Sequence, residues 1–167
     1  MKLRDALEPK MDIAEALYPK LFALIQQIED YYDHSDVEGM QAGLNQIDQL
    51  VPEKKVKLED VLENYEAEGA EVLAFRIGLP NPALVKDFSK AELLEVVARI
   101  KTDTSERWEQ VHTLSFKETF SLYLTDYYHA LLKLNFKRYQ FSYFGRNKID
   151  GVYTEFSIHE IVDKIWA

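Results

Sequence analysis

The chain has 167 residues, 47% of them hydrophobic, with no cysteine and a formal charge of −9. At this length folding buries roughly 70% of the surface of the open chain, so a core forms without covalent staples. The missing cysteines exclude disulfides, zinc–thiolate sites and cysteine nucleophiles, and the acidic balance disfavours general nucleic-acid binding, which takes a basic footprint.

The cysteine-free composition fits a reducing cytoplasm, the expected location. The start, MKLRDALEPK, carries acids in its first turns and no apolar segment, so it does not read as a secretory signal. No apolar run approaches the roughly 20 residues of a membrane span, and no membrane partner is expected.

Leu3, Leu7, Ala14, Leu17, Leu21, Leu24, Ile28 and Tyr31 recur at three- and four-residue steps, a helical stripe. Pro9 and Pro19 interrupt it, since each lacks a donor and crowds the preceding turn. The pattern predicts a short helix near 2–8 and a second from about 11 to 34, kinked or restarted at Pro19. Ser35 or Asp36 then caps a helix whose stripe is Val37, Met40, Leu44 and Ile47, ended by Pro52. Leu58, Val61, Leu62 and Tyr65 form a third stripe, broken at Gly69, and Val72, Phe75 and Ile77 a fourth. LPNPALV, residues 79–85, reads as a proline-fixed loop.

Ser89 with Glu92 forms a capping box, followed by Leu93, Leu94, Val97 and Ile100. Asp103 and Glu106 open a helix that carries Trp108 and Val111, and Ser115 with Glu118 makes a second box after a break near Thr113 and Leu114. From Phe116 the stripe continues through Phe120, Tyr123, Leu124, Tyr127, Leu131 and Leu134, the longest amphipathic pattern in the chain. Trp108 and Trp166 read as core anchors.

After Leu134 the period changes from about 3.6 to 2. Tyr139, Phe141 and Tyr143 alternate with Arg138, Gln140 and Ser142; Gly145 to Gly151 reads as the turn, and Val152, Thr154 and Phe156 as the returning strand. Ser157 with Glu160 makes a third box and opens a final helix. No internal repeat or Gly/Ser-rich linker divides the chain. The expected architecture is mainly α: one domain over residues 1–167, a bundle of six to eight helices with a C-terminal β-hairpin at about 137–157 before the last helix.

The hairpin is basic in an acidic chain. Residues 133–167 hold six Lys and Arg against four acids, a charge of +2, which leaves −11 on residues 1–132. An isolated two-stranded ribbon is marginal in water. Either Tyr139, Phe141, Tyr143 and Phe156 lie on the helical body, or one edge stays free and pairs with a partner strand. In the second case Lys137, Arg138, Arg146 and Lys148 select an acidic partner or a second copy's acidic face. A third reading makes Arg138, Tyr139, Phe141, Tyr143 and Arg146 a stacking platform for nucleic acid, which the chain's overall charge opposes.

EDYYDHSDVE, residues 29–38, holds five acids with two tyrosines and a histidine. Tyrosines supply contact area and carboxylates draw basic partners, so Asp30, Tyr31, Tyr32, Asp33 and Asp36 form a candidate protein-contact set, with Arg138, Tyr143 and Arg146 a second. The alternative is an ordinary helix end whose acids serve as caps. Two helix-spaced pairs, Glu109 with His112 and Asp126 with His129, have the spacing of carboxylate–histidine metal ligands, and Glu29 or Asp33 are candidate further ligands. No phosphate-binding loop, dinucleotide fingerprint, zinc-protease helix or nucleophile elbow occurs. No cofactor beyond such a metal ion is expected, and no catalytic residue is assigned.

The acidic, cysteine-free, helical character is similar to that of bacterial immunity and antitoxin proteins, a likeness of composition that covers no motif. It implies a binding module that engages a basic protein partner, rather than an enzyme. Two other readings follow from the residues themselves: a metal-binding helical-bundle enzyme using Glu109, His112, Asp126 and His129, and a self-associating structural protein that forms a homodimer.

Overall fold

The computed structural model describes residues 2–102 and 114–167, with 64–66 as backbone only. Among the described residues there are eight α-helices and one two-stranded antiparallel sheet. The helices are α1 (Met11–Asp33), α2 (Val37–Leu50), α3 (Leu58–Ala67), α4 (Ala70–Gly78), α5 (Lys90–Lys101), α6 (Phe116–Ser121), α7 (Thr125–Asn135) and α8 (Ile158–Trp166). The strands β1 (Arg146–Ile149) and β2 (Val152–Glu155) precede α8. The mainly helical class with a C-terminal hairpin and a final helix is therefore as the sequence implies. No helix among the described residues is long and apolar enough to cross a membrane.

The chain gathers into two compact units: Lys10–Pro80, and Met1–Pro9 together with Asn81–Ala167. Charge divides the same way. Residues 10–80 hold six Lys and Arg against fifteen Asp and Glu, which is the chain's entire −9, and the other unit holds fourteen of each.

In the first unit α1 packs against α2 and α4. Its buried stripe of Leu21, Leu24, Ile25 and Ile28 meets Met40, Ile47, Val51, Val61, Leu73, Ala74 and Ile77. The chain continues as one helix through Pro19, with buried Ala14 before the proline and Leu21 after it. Glycines set how closely α2 approaches. A β-carbon on Gly43 would lie 2.6 Å from Cγ1 of Ile28, and one on Gly39 would lie 2.6 Å from the ring of Tyr31. Val37, expected on the buried stripe of α2, is instead exposed, and burial of that stripe begins one turn later at Met40.

In the second unit α5 packs against α7 and α8, burying Leu93, Val96, Val97, Leu131, Leu132, Ile161, Val162 and Ile165. The three Ser–Glu capping boxes at the starts of α5, α6 and α8 are all formed. Residues 2–8 do not make the expected helix. They form a turn closed by Leu7 N–H on the Arg4 carbonyl at 2.9 Å, because so short a segment cannot offset the nucleation cost of a helix. Side chains tie this turn down instead. Arg4 pairs with Asp87 at 2.9 Å and Glu92 at 2.7 Å. Arg99 grips both oxygens of Glu8 at 2.9 and 3.0 Å, Glu95 at 3.0 Å and the Tyr128 hydroxyl at 2.8 Å.

The stripe from Phe116 to Leu134 also departs from expectation, breaking into α6 and α7 at residues 122–124. Phe120, Leu122 and Leu124 are all buried, and positions two apart on a helix point to nearly opposite sides. A bend, closed by Leu122 N–H on the Thr119 carbonyl at 3.3 Å, turns all three inward. Trp166, expected as a core anchor, is exposed and meets Phe136 with ring centroids 6.2 Å apart. Trp108 lies outside the described residues.

The hairpin forms later than the alternation suggests. Arg146 pairs with Glu155, Asn147 with Thr154, Lys148 with Tyr153 and Ile149 with Val152. Its turn is Asp150–Gly151 alone, with φ of 50° and 83°, the doubly left-handed backbone of a two-residue hairpin loop. That loop sets the register. Since β2 runs out at the Ser157 cap of α8, nothing remains to pair with residues 139–144. These fold as a 3₁₀ turn, Phe141–Phe144, instead of the expected first strand.

Two substitutions test this packing. Gly43→Ala gains helix propensity but overpacks the fully buried, χ1-stiff Ile28, and it should destabilise the chain by about 1–3 kcal/mol, read as a lower thermal midpoint. Arg99→Ala leaves Glu8 and Glu95 without their cation. It should cost about 2–3 kcal/mol, below the range for a fully buried pair because the guanidinium is partly solvated, read by denaturant unfolding.

Candidate functional site

The acidic segment of residues 29–38 becomes a tight corner between α1 and α2. Asp36 N–H donates to the Tyr31 carbonyl at 2.8 Å and Ser35 N–H to the Tyr32 carbonyl at 3.0 Å, the paired bonds of a Schellman ending. Ser35 takes the left-handed position with φ of 55°, where glycine is the usual residue. Asp36 then caps α2, its carboxylate accepting from Gly39 N–H at 2.9 Å. The N–H groups of His34, Ser35, Asp36, Gly39 and Met40 are all bonded across this junction.

The five candidate contact residues therefore divide. Asp36 is occupied as a cap, and Tyr31 is half-buried with its ring on Gly39. Asp30 holds His34, whose Nδ1 lies 2.8 Å from the Asp30 carbonyl and 3.7 Å from its carboxylate. That backbone bond, then the charges of Asp30 and Asp33, raise the pKa of His34. Tyr32 and Asp33 face solvent, Tyr32 with 54% of its surface exposed. Val37, 70% exposed, and Glu38 complete the outward face. Neither was assigned to the contact set from sequence. The available signal was Asp36 as N-cap, which places Val37 and Glu38 in the first turn of α2.

Beside the corner, Ala23, Gln26, Gln27, Asp30 and Tyr31 line an open groove of about 420 Å³. Burial, followed by the charge of Asp33, raises the pKa of Glu29, and its Oε1 is buried with no hydrogen-bond partner among the described residues.

No family model, curated protein or solved structure matches this chain.

The second candidate set sits in the other unit. Arg138 is exposed and makes no ion pair among the described residues. Tyr143 is half-buried, edge-on to Phe156 at 6.4 Å, and Lys164 lies over both rings at 5.7 and 4.4 Å. Arg146 is exposed on β1, 3.6 Å from Glu155. Tyr143 serves packing, while the two arginines are exposed.

Of the metal candidates, Glu109 and His112 lie outside the described residues. Asp126 is exposed in the first turn of α7. His129, one turn on, is half-buried. Its Nδ1 shares a hydrogen bond of 2.9 Å with the Tyr139 hydroxyl, and its ring meets Phe141 and Phe144 with centroids 4.8 Å away. Among the described residues no three His, Cys, Asp or Glu side chains come together as metal ligands. Nearby, burial, followed by the neighbouring Tyr128 and Glu8, pushes the Tyr127 hydroxyl up to about 12.

Burial lowers the pKa of His129 from its ordinary 6.5, against the charge of Asp126, which raises it. In the unfolded chain it protonates near 6.5, and in the fold only at lower pH. Its contribution is therefore complete above pH 6.5 and is lost as pH falls from there through the folded value. Denaturant unfolding from pH 7.5 to 5 should show this loss, and a His129→Gln variant, which keeps a group to bond Tyr139, should show a shallower slope.

Proposed function

We propose that this chain is a protein-binding module that engages a basic partner through the acidic corner between α1 and α2. One observation carries the reading. Tyr32 and Val37 are large, exposed hydrophobic groups on either side of a hydrogen-bonded turn, in a segment whose Asp33 and Glu38 are exposed as well. An aromatic anchor within a charged rim is the arrangement that concentrates binding energy at protein interfaces, and a unit bearing all of the chain's −9 attracts a cationic surface over long range. This agrees with the compositional likeness to immunity and antitoxin proteins, and it assigns contact to Tyr32, Asp33, Val37 and Glu38 while Tyr31 and Asp36 hold the turn.

The test begins with affinity co-purification from the native host at low salt, followed by titration of the purified partner. The partner should be basic. Its affinity should fall by about tenfold or more between 50 and 300 mM salt. Tyr32→Ala combined with Asp33→Asn should weaken it by about a hundredfold, because both an anchor and a charge are removed. A partner that binds the double variant as tightly as the natural chain would sink the assignment.

A further inference from the structure

We infer that the outer edge of β2 is a strand-addition site for an extended acidic peptide segment of a partner protein. The reading does not depend on the corner between α1 and α2. A two-stranded sheet has two unpaired edges, and each offers a row of N–H and C=O groups. On the β1 side, the Asn147 amide donates to the carbonyls of Ser142 and Gly145 at 2.9 and 3.0 Å and holds the 3₁₀ turn against that strand. Every residue of β2 is exposed, Val152 at 64% and Tyr153 at 70%.

The register fixes what each face offers a third strand. Arg146, Glu155, Lys148 and Tyr153 share one face, and Asn147, Thr154, Ile149 and Val152 the other. On the first face Glu155 is held by Lys101 at 3.1 Å and Arg146 at 3.6 Å. Lys148 makes no ion pair among the described residues. Its ammonium leans across the ladder, 5.9 Å from the centre of the Tyr153 ring, and so overhangs β2. Lys137 and Arg138, just upstream, are exposed and equally without a carboxylate among the described residues. The second face presents Ile149 and Val152, both exposed.

An incoming strand thus meets a cation on one side and branched apolar surface on the other. The chemistry selects a segment in which Glu or Asp alternates with Val or Ile. Two other occupants fit less well. A phosphate backbone carries no donors to complete the ladder. A second copy docked edge to edge would bring the unneutralised lysine of each chain onto one face, like charge beside like charge.

The probe is a labelled, end-blocked peptide of about seven residues with Glu alternating with Val, the length of an ordinary strand. Fluorescence polarisation should show saturable binding to the full chain. N-methylation of alternate backbone amides should abolish it, and Lys in place of Glu should do the same. Lys148→Gln should weaken it by about fivefold, the worth of one exposed charge pair. Lys148→Glu should shift preference toward the Lys-containing probe. Should either variant unfold, the N-methylated probe on the unaltered chain still decides between strand addition and simple charge attraction. The proposal is overturned if the N-methylated peptide binds as well as its parent, or if the acidic probe does not bind at millimolar concentration. It is equally overturned if a single-stranded oligonucleotide of equal charge displaces the probe, or if light scattering without peptide shows a dimer that Tyr153→Thr dissolves.

Discussion

Arg99 is the constraint on which the Met1–Pro9 and Asn81–Ala167 unit depends. Burial of a guanidinium is unfavourable unless its fork of donors is filled, and here Glu8, Glu95 and Tyr128 fill it. Burial works to lower its pKa, and the hydrogen bonds to Glu8, Tyr128 and Glu95 more than reverse this. The bidentate grip on Glu8 holds an N-terminal turn too short to persist as a helix, so that Leu3 and Leu7 stay buried. Arg4, with Asp87 and Glu92, repeats the device a turn earlier. A charged network thus does what a longer hydrophobic helix would otherwise do, and removal of Arg99 leaves the partly buried carboxylates of Glu8 and Glu95 without their cation.

The Lys10–Pro80 unit is held in a different way. Its buried residues are hydrophobic, and its specificity comes from how closely backbones approach. Gly43 lets α2 settle on Ile28, and Gly39 lets it settle on Tyr31. Tyr31 thereby becomes a packing residue and its neighbour Tyr32 is left outward. The acids follow the same logic: Asp36 is spent on a cap, while Asp33 and Glu38 remain at the surface. The functional reading of the corner rests on this partition. A residue whose polar atoms are already satisfied has little to offer a partner, whereas an exposed aromatic beside free carboxylates has both area and charge.

The hairpin shows how a turn can override a pattern. Alternation of Tyr139, Phe141 and Tyr143 satisfies the period of a strand, yet the Asp150–Gly151 loop admits only four pairs before β2 meets the Ser157 cap. The aromatics are diverted to other work. Tyr139, Phe141 and Phe144 surround His129, and Tyr143 with Phe156 makes a platform for Lys164. What stays open to solvent is the ribbon itself, with Lys148 on one face in no ion pair among the described residues.

Local chemistry was legible in the sequence, and long-range chemistry was not. The helical class, the three Ser–Glu capping boxes, the Asp36 cap, the break at Gly69 and the presence of a hairpin before a final helix all follow from residues within four positions of one another, where backbone propensity and short-range hydrogen bonds decide. The same reading could single out the tyrosine-rich acidic stretch at residues 29–38, but not which of its members point outward. That depended on Gly39 approaching Tyr31 and on a left-handed Ser35, which belong to the packing of α2 on α1. The bend at Leu122, the turn at residues 2–8, the ring environment of His129 and the pairing of Glu8 with Arg99 are likewise decisions of the tertiary structure. In each, a side chain distant in sequence or a buried surface outweighs a periodicity worth only a fraction of a kcal/mol per residue.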